Sequence, residues 1–228
     1  MRKTKIVCTL GPSTDVDGVL EKLINVGMNV ARCNFSHGSH EEHKKRMDKV
    51  KEIRKKCDMP VAILLDTKGP EIRTGIFEND SIFVHTGQKF TLVGDRQVKG
   101  DENHVNITFP DLYKDVNIGS IILIDDGLVK LEVKEISGTD IVCEVKNDGK
   151  ISNRKGVNVP DIHINMEYMS KQDKSDIIFG IQQDVDYIAA SFVRTAEDVK
   201  AVRKILDENG GENINIIAKI ENSEGILN

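Results

Sequence analysis

No apolar stretch in the sequence is long enough to cross a membrane. The longest unbroken aliphatic run, Val61–Leu65, spans about five residues, whereas a membrane helix needs about 20. The N-terminal segment Met1–Lys5 is positively charged, but no apolar segment of about 7–15 residues and no cleavage site follow it, so no signal peptide is expected. These absences predict a cytoplasmic protein without a membrane partner.

Cysteines are few, four in 228 residues, and no two of them are close in sequence. The positions Cys8, Cys33, Cys57 and Cys143 therefore lack the spacing of a metal knuckle. Cys8 and Cys33 lie inside apolar runs, where free cysteines act as small buried hydrophobic side chains. We expect reduced thiols and no disulfide bonds.

The usual signatures of nucleic-acid and nucleotide binding are also missing. Acidic residues outnumber basic ones, 37 to 32, and the net charge of −5 does not support a basic nucleic-acid surface. The basic stretch Lys44–Lys56 keeps a helical apolar period and is interrupted by acidic residues, which is typical of a solvated helix face. No P-loop and no G-x-G-x-x-G motif occurs, so no nucleotide site can be argued from a glycine-rich loop. No nucleic-acid partner is predicted.

Alternating strand and helix patterns are present near both ends of the chain. Short apolar runs are followed by segments whose apolar residues recur at helical spacing. Ser39 with Glu42 predicts a capping box, and Thr195 with Asp198 predicts a second helix cap. Repeated strand–helix units of roughly 25–30 residues indicate a parallel sheet that is covered on both faces. The predicted strands are Lys5–Leu10, Asn29–Asn34, Val61–Asp66, Asp186–Ala190 and Ile214–Ile220.

The middle of the chain, from about Gly75 to Pro160, has a different pattern. Short alternating runs such as Leu128–Val133 and Ile141–Val145 are separated by turn dipeptides such as Asp126-Gly127. This pattern predicts a separate antiparallel β domain of roughly 90 residues.

Two α/β architectures fit the parallel strands, a doubly wound sheet and a (β/α)8 barrel. Polar residues collect at the carboxyl ends of the predicted strands, which is where barrel enzymes place their active sites. This placement favours the barrel. A barrel needs eight strands, however, and the sequence shows about five, so the chain is expected to be interrupted within the fold.

Two of these strand ends carry oxygen ligands and cations. Arg32–Gly38 combines an arginine fork that suits phosphate or carboxylate with amide and hydroxyl oxygens that suit a hard cation. The alternative is a helix cap with a surface arginine. Asp66–Arg73 begins with a carboxylate that is costly to bury unless it is paired or binds a metal. An Asp–Lys pair closing the turn is the alternative.

Two further segments add positive charge. Arg154–Pro160 places cations at the return from the β domain, with a solvated linker as the alternative. Lys219 and Glu221 share one face of the fifth predicted strand, about 7 Å apart along it. This pair suits a cation for a transferring anionic group beside a metal carboxylate, and a structural ion pair is the alternative.

Six ordered motifs together carry a resemblance to a known family. They are K-T-K-I-V-C-T-L-G-P-S, N-V-A-R-C-N-F-S-H-G, L-L-D-T-K-G-P-E-I-R-T, R-K-G-V-N-V-P, D-Y-I-A-A-S-F-V-R and I-I-A-K-I-E-N-S-E-G. Over essentially the whole chain they resemble the N-terminal portion of bacterial pyruvate kinases. The resemblance implies an incomplete (β/α)8 TIM barrel with an inserted antiparallel β-barrel domain. The expected boundaries are 1–70 for the first part of the barrel, 71–160 for the insertion and 161–228 for the continued barrel.

The resemblance also implies the site residues and ligands. Arg32 is expected to bind the phosphate of phosphoenolpyruvate, Lys219 to bind substrate and stabilise the phosphoryl group in transit, and Glu221 to bind Mg2+ or Mn2+. The implied K+ ligands are Asn34, Ser36, Asp66 and Thr67, and the implied nucleotide contacts are Arg73 and Lys155. The expected partners are phosphoenolpyruvate, ADP or ATP, and pyruvate, in a glycolytic kinase whose full-length form is a homotetramer.

One family segment is missing from these residues. The G-D-L-G segment that carries the family's second metal-binding Asp does not occur, so the 228 residues alone are expected to be inactive. A second hypothesis is a non-catalytic fragment that binds anions or nucleotide, or that forms half of a split chain. A third is an aldolase-type barrel, against which the inserted β domain and the D-T-K-G-P-E-I-R motif argue.

Overall fold

Strands and helices alternate at both ends of the chain in the computed structural model, which describes residues 3–228. The strands are β1 (Val7–Thr9), β2 (Val30–Asn34), β3 (Ala62–Asp66), β4 (Ile72–Arg73), β5 (Ser81–Val84), β6 (Lys89–Val93), β7 (His104–Asn106), β8 (Ile121–Ile124), β9 (Val129–Ser137), β10 (Asp140–Val145), β11 (Gly149–Ser152), β12 (Gly156–Asn158), β13 (Tyr187–Ala190) and β14 (Asn215–Ala218). The helices are α1 (Pro12–Asp15), α2 (Val19–Asn25), α3 (His40–Lys56), α4 (Leu112–Asp115), α5 (Lys171–Gln182), α6 (Ala196–Glu208) and α7 (Ser223–Leu227). Across the described part of the chain, no helix is both long and apolar enough for a membrane crossing.

A parallel sheet organises the first of two units into which the chain divides. This unit comprises Met1–Pro70 and Glu167–Asn228, and the second comprises Glu71–Met166. The sheet of the first unit has the order β1-β2-β3-β13-β14, all pairs being parallel. It is curled like half of a barrel. The predicted α/β class is therefore confirmed, whereas closure into an eight-stranded barrel stays a prediction.

Helices α3 and α6 begin at the predicted capping boxes. The Glu42 carboxylate accepts from the Ser39 backbone N–H at 2.7 Å, and the Thr195–Asp198 pair makes the equivalent arrangement at α6. Helix α3 buries His43, Met47, Val50 and Ile53, whose spacing forms one helical stripe. This stripe joins the apolar core of the first unit.

Two predicted elements differ at their ends. The fifth strand was expected over Ile214–Ile220, but β14 ends at Ala218, opposite the last residue of β13 in the register Ala190↔Ala218. The helical spacing of Val16, Val19, Leu20, Leu23 and Ile24 predicts a helix from Val16, but α2 begins only at Val19, because Gly18 at φ +76° interrupts the backbone before it. Lys219 and Glu221 consequently lie beyond the strand that was expected to carry them.

The second unit is built from two β-sheets around its own apolar core. Its larger sheet has the order β4-β12-β8-β9-β10-β6-β7, and β5 pairs with β11 in a smaller one. The pairs are antiparallel except β6 with β7, which run parallel. An antiparallel bridge also joins Thr74 to Ile107, the residues that follow the two outer strands of the larger sheet. A closed, inserted β-barrel stays a prediction for this unit.

The four cysteines are free thiols, as expected for a reduced protein. Cys33 and Cys143 are buried in the first and second apolar cores, respectively. Burial raises the pKa of each of these two thiols to about 12, so both pack as neutral groups.

Candidate functional site

A buried carboxylate, Asp66 at the end of β3, joins two of the predicted site cations. Its side chain is 2% exposed. Oδ2 accepts from Arg32 Nε at 2.6 Å and lies 2.5 Å from Arg32 Nη2, while Oδ1 accepts from Lys219 Nζ at 3.0 Å. A buried carboxylate is stable only when it is paired or hydrogen-bonded, and here two cations compensate it. Arg32 and Lys219 are therefore held side by side.

The sheet order explains why residues so far apart in sequence meet. Asn34 at the end of β2 and Ala189 in β13 are both register partners of Asp66. Lys219 follows β14, which is the neighbour of β13. Because the carboxyl ends of parallel strands lie at one edge of a sheet, β2, β3, β13 and β14 deliver their terminal side chains to the same place.

The Lys219 ammonium has three acceptors for its three protons. They are Ser191 Oγ at 2.9 Å, Asp66 Oδ1 at 3.0 Å and Glu221 Oε1 at 3.3 Å. Glu221 is the most exposed of the three side chains, and its other oxygen accepts from the Phe192 backbone N–H at 3.1 Å. The cation and the predicted metal carboxylate thus form a direct ion pair, in addition to any role in binding.

The four predicted potassium ligands cluster at the ends of β2 and β3. Asn34 Oδ1 accepts from the Ser36 backbone N–H at 3.1 Å, and the Phe35 N–H donates to the Asp66 carbonyl at 2.9 Å. Thr67 is 4% exposed, and its N–H donates to the Ala189 carbonyl at 3.0 Å. Amide, hydroxyl, carboxylate and carbonyl oxygens are the donors that a hard monovalent or divalent cation prefers. The donor chemistry of the four residues fits a K+ ion, which would share the Asp66 carboxylate with Arg32 and Lys219.

Glu221 is the side chain predicted to bind a divalent metal ion. Within residues 3–228, no three His, Cys, Asp or Glu side chains come together in a group that could hold a metal. Mg2+ is usually bound through one or two carboxylates together with water and substrate phosphates, so a single partly exposed carboxylate is a suitable anchor. Glu221 fits this description, with its side chain 36% exposed.

The two predicted nucleotide cations lie together in the second unit. Arg73 in β4 is the register partner of Gly156 in β12, the residue after Lys155. Two bonds from Arg73 to the Glu71 carboxylate, at 2.6 and 2.8 Å, raise the pKa of Arg73 above its usual value. Lys155 Nζ lies 3.0 Å from Asp125. Each cation is already paired, so a nucleotide phosphate would compete with a carboxylate for it.

The loop that carries Ser36 is held by a buried histidine. His43 in α3 stacks on Phe35, with ring centroids 4.0 Å apart, and its Nε2 lies 2.8 Å from the His37 carbonyl. Since a carbonyl only accepts hydrogen bonds, Nε2 carries the proton and Nδ1 is unprotonated. Burial lowers the pKa of His43 below its usual value, which keeps the ring neutral.

Comparison with known proteins decides the family. A family model described as the pyruvate kinase barrel domain matches residues 1–228. The chain belongs to the pyruvate kinase family. It is 50% identical over 228 residues to a pyruvate kinase of Clostridium acetobutylicum, 50% identical over 230 to one of Staphylococcus haemolyticus, and 47% identical over 228 to one of Clostridium perfringens. All of this chain is covered in each case, but only 48%, 39% and 48% of these relatives, respectively. The chain therefore spans about half or less of the length of the curated pyruvate kinases that it matches.

Sequence reasoning missed two residues that the geometry brings into these clusters. Ser191 contacts both Asp66 and Lys219, and Glu71 holds Arg73. Ser191 had a usable signal, because it is a polar residue directly after the apolar strand β13, just as Asp66 ends β3. Glu71 lies two residues before Arg73, but no local pattern marks that pair as an ion pair.

Proposed function

We propose that this chain carries the phosphoryl-transfer site of a pyruvate kinase, which converts phosphoenolpyruvate and ADP to pyruvate and ATP. The observation that supports the proposal most strongly is the shared carboxylate: Asp66 holds Arg32 and Lys219 together at the carboxyl ends of parallel strands. Two adjacent cations on that edge suit a substrate that carries both a phosphate and a carboxylate.

Arg32 is assigned to the phosphate of phosphoenolpyruvate. Its Nε and Nη2 face Asp66, and Nη1 donates to Thr9 Oγ1 at 2.7 Å. The guanidinium is thus fixed in orientation while its side chain stays 30% exposed. A guanidinium has five N–H donors, so this arrangement leaves donors for an anionic ligand, and its planar fork matches phosphate geometry.

Lys219 is assigned to the phosphoryl group in transit and is the proposed catalytic residue. Phosphoryl transfer depends on positioning and on neutralising charge that spreads over the phosphoryl oxygens. A preorganised ammonium stabilises that charge without having to reorganise during the reaction. Its contacts with Asp66 and Ser191 fix the ammonium beside the Arg32 guanidinium.

Metal ions complete the proposed charge balance. Asn34, Ser36, Asp66 and Thr67 would hold K+, and Glu221 would hold Mg2+ or Mn2+. When bound, these ions supply positive charge to the phosphate-bearing substrates. The residues of the chain itself orient the ligand oxygens: Asn34 through its bond from Ser36, and Glu221 through its bond from the Phe192 N–H. Arg73 and Lys155 are assigned to the nucleotide.

The test measures ATP formation from phosphoenolpyruvate and ADP by the protein produced from its native gene. Glu221→Gln removes the carboxylate charge and should raise the Mg2+ concentration for half-maximal activity about tenfold or more, as lost metal contacts commonly do. The matched control is Glu208→Gln, in an exposed surface pair with Lys204 of α6, which should leave that concentration unchanged. No turnover by the unaltered protein, or equal Mg2+ dependence in both variants, would contradict the proposal.

A further inference from the structure

Ser191 is a buried hydroxyl at the centre of the proposed site, although no motif assigned it a role. It follows β13 and is 2% exposed. Its Oγ lies 2.6 Å from the Thr67 carbonyl, 2.9 Å from Lys219 Nζ and 3.1 Å from Asp66 Oδ1. The hydroxyl therefore touches the ammonium and the carboxylate that holds it.

Counting protons fixes the direction of these bonds. A serine hydroxyl has one proton to donate and two lone pairs that accept, whereas a carbonyl and a carboxylate only accept. The Thr67 carbonyl is the nearest acceptor, so it takes the Ser191 proton. Lys219 must then donate to Ser191, because an ammonium has no acceptor. The resulting chain runs from Lys219 through Ser191 to the Thr67 carbonyl.

The backbone around Ser191 is fixed on several sides. Its N–H donates to Thr67 Oγ1 at 3.1 Å, and its carbonyl accepts from the Tyr168 hydroxyl at 3.0 Å. Gly69 approaches so closely that a Cβ there would lie 2.9 Å from both the Ser191 Cβ and its carbonyl oxygen. These contacts leave the hydroxyl little freedom to move.

The next residue adopts a rare backbone conformation. Phe192 has φ +54°, in the left-handed region that a bulky side chain seldom occupies. This conformation accompanies the bond from its N–H to Glu221 Oε2 at 3.1 Å. Strained residues of this kind persist where the surrounding structure holds them, often at functional sites. The Ser191–Phe192 step thus contacts both members of the Lys219–Glu221 pair.

We propose that Ser191 is a positioning residue for Lys219, an assignment that rests on the proposed function. Ser191 and Asp66 are buried acceptors that hold two of the three ammonium protons. The third proton faces Glu221, which is the longest and most exposed contact of the ammonium. Ser191 therefore directs that third proton toward the open side, where an anionic substrate group can accept it.

The experiment compares kcat and KM for phosphoenolpyruvate in variants of the protein from its native gene. Ser191→Ala should lower kcat about 10- to 100-fold, the equivalent of one hydrogen bond to a charged group, with little change in KM. Ser191→Thr keeps the hydroxyl, so its kcat should stay close to that of the unaltered protein. Ser191→Cys keeps a similar shape, but its thiol is a weak acceptor, so its kcat should fall as far as that of Ser191→Ala. The cysteine variant supplies this measurement if the alanine variant folds poorly.

Two controls separate positioning from general destabilisation and from the proposed function itself. Ser120→Ala removes a hydroxyl that accepts a bond from the Asn117 backbone N–H in a turn of the second unit, and it should lower the melting temperature without lowering kcat. Equal kcat loss in Ser120→Ala and Ser191→Ala, or no rescue by threonine, would overturn the assignment. If Lys219→Met loses turnover and Ser191→Ala does not, the assignment alone is wrong. An unaltered protein without turnover would overturn the proposed function and this assignment with it.

Discussion

Replacing Asp66 with Asn should destabilise the first unit, because the buried Asp66 carboxylate pairs with both Arg32 and Lys219. Asn keeps the shape but removes the charge, and its NH2 group would face a cation on one side. Breaking a buried ion pair costs about 3–5 kcal/mol. Arg32 and Lys219 are 30% and 27% exposed, so solvent screens part of this, and we expect a loss of about 2–4 kcal/mol in the free energy of unfolding.

A double-mutant cycle with Arg32→Met tests the cause of that loss. In the unaltered protein, Arg32→Met removes an ion-pair partner of the buried Asp66 carboxylate and should be destabilising. In the Asp66→Asn variant, Arg32→Met removes a guanidinium that no longer has this carboxylate as a partner, so it should cost less. The two changes should therefore couple by about 1 kcal/mol or more. Urea denaturation followed by circular dichroism measures each variant, and Asp48→Asn, in an exposed pair with Lys44, should cost less than about 0.5 kcal/mol. A loss in Asp66→Asn no larger than in this control, or an additive cycle, would refute the reasoning.

Burial lowers the pKa of His43 below 6.5, so as the pH falls the unfolded protein binds a proton at this histidine before the folded protein does. The contribution of His43 to stability should therefore be complete above pH 6.5 and decline below it. Melting temperatures of His43→Gln should show a shallower decline below pH 6.5. An equally steep decline in that variant would assign the effect to other groups. Gly69→Ala should lower the free energy of unfolding by about 2 kcal/mol or more, because φ is +71° and the new Cβ would clash with Ser191. Gly18→Ala has a similar φ of +76° but open space around it, and it should cost about 1–2 kcal/mol. Equal losses in urea denaturation would refute the contribution of the clash with Ser191. The 228 residues expressed alone should show little turnover in the ATP assay, because Glu221 is their single predicted carboxylate ligand for Mg2+. Turnover close to that of a full-length pyruvate kinase that the chain matches would contradict this.

Local patterns predicted the secondary structure of the first unit well. The capping boxes at Ser39 and Thr195 depend on hydrogen bonds within four residues, so the sequence contains everything that forms them. The prediction for the end of β14 was wrong because the extent of this strand depends on its pairing with β13, whose last residue Ala190 is the register partner of Ala218. The parallel β6–β7 pair was missed for the same reason, since strand direction is set by long-range pairing.

The candidate site was predictable as a set of strand-end residues but not as a network of bonds. From the sequence, Asp66 is either a metal ligand or the partner of a lysine close by in the chain, while the structure pairs it with Arg32 and Lys219, which are 34 and 153 residues away. Such pairs follow from strand order, which residue patterns do not specify. Ser191 had the signal of a polar residue at a strand end, but its contacts with Asp66 and Lys219 arise only because β13 lies between β3 and β14.

The central claim is that Lys219 acts on the phosphoryl group in transit, and Lys219→Met in the native gene product tests it most directly. Methionine keeps the volume and removes the charge, so kcat should fall about 100- to 1000-fold or more while KM for phosphoenolpyruvate changes modestly. Lys204→Met, on the exposed face of α6, is the matched control and should keep normal turnover. A Lys219→Met variant with a raised KM and a nearly normal kcat would contradict the claim and make Lys219 a substrate-binding cation only.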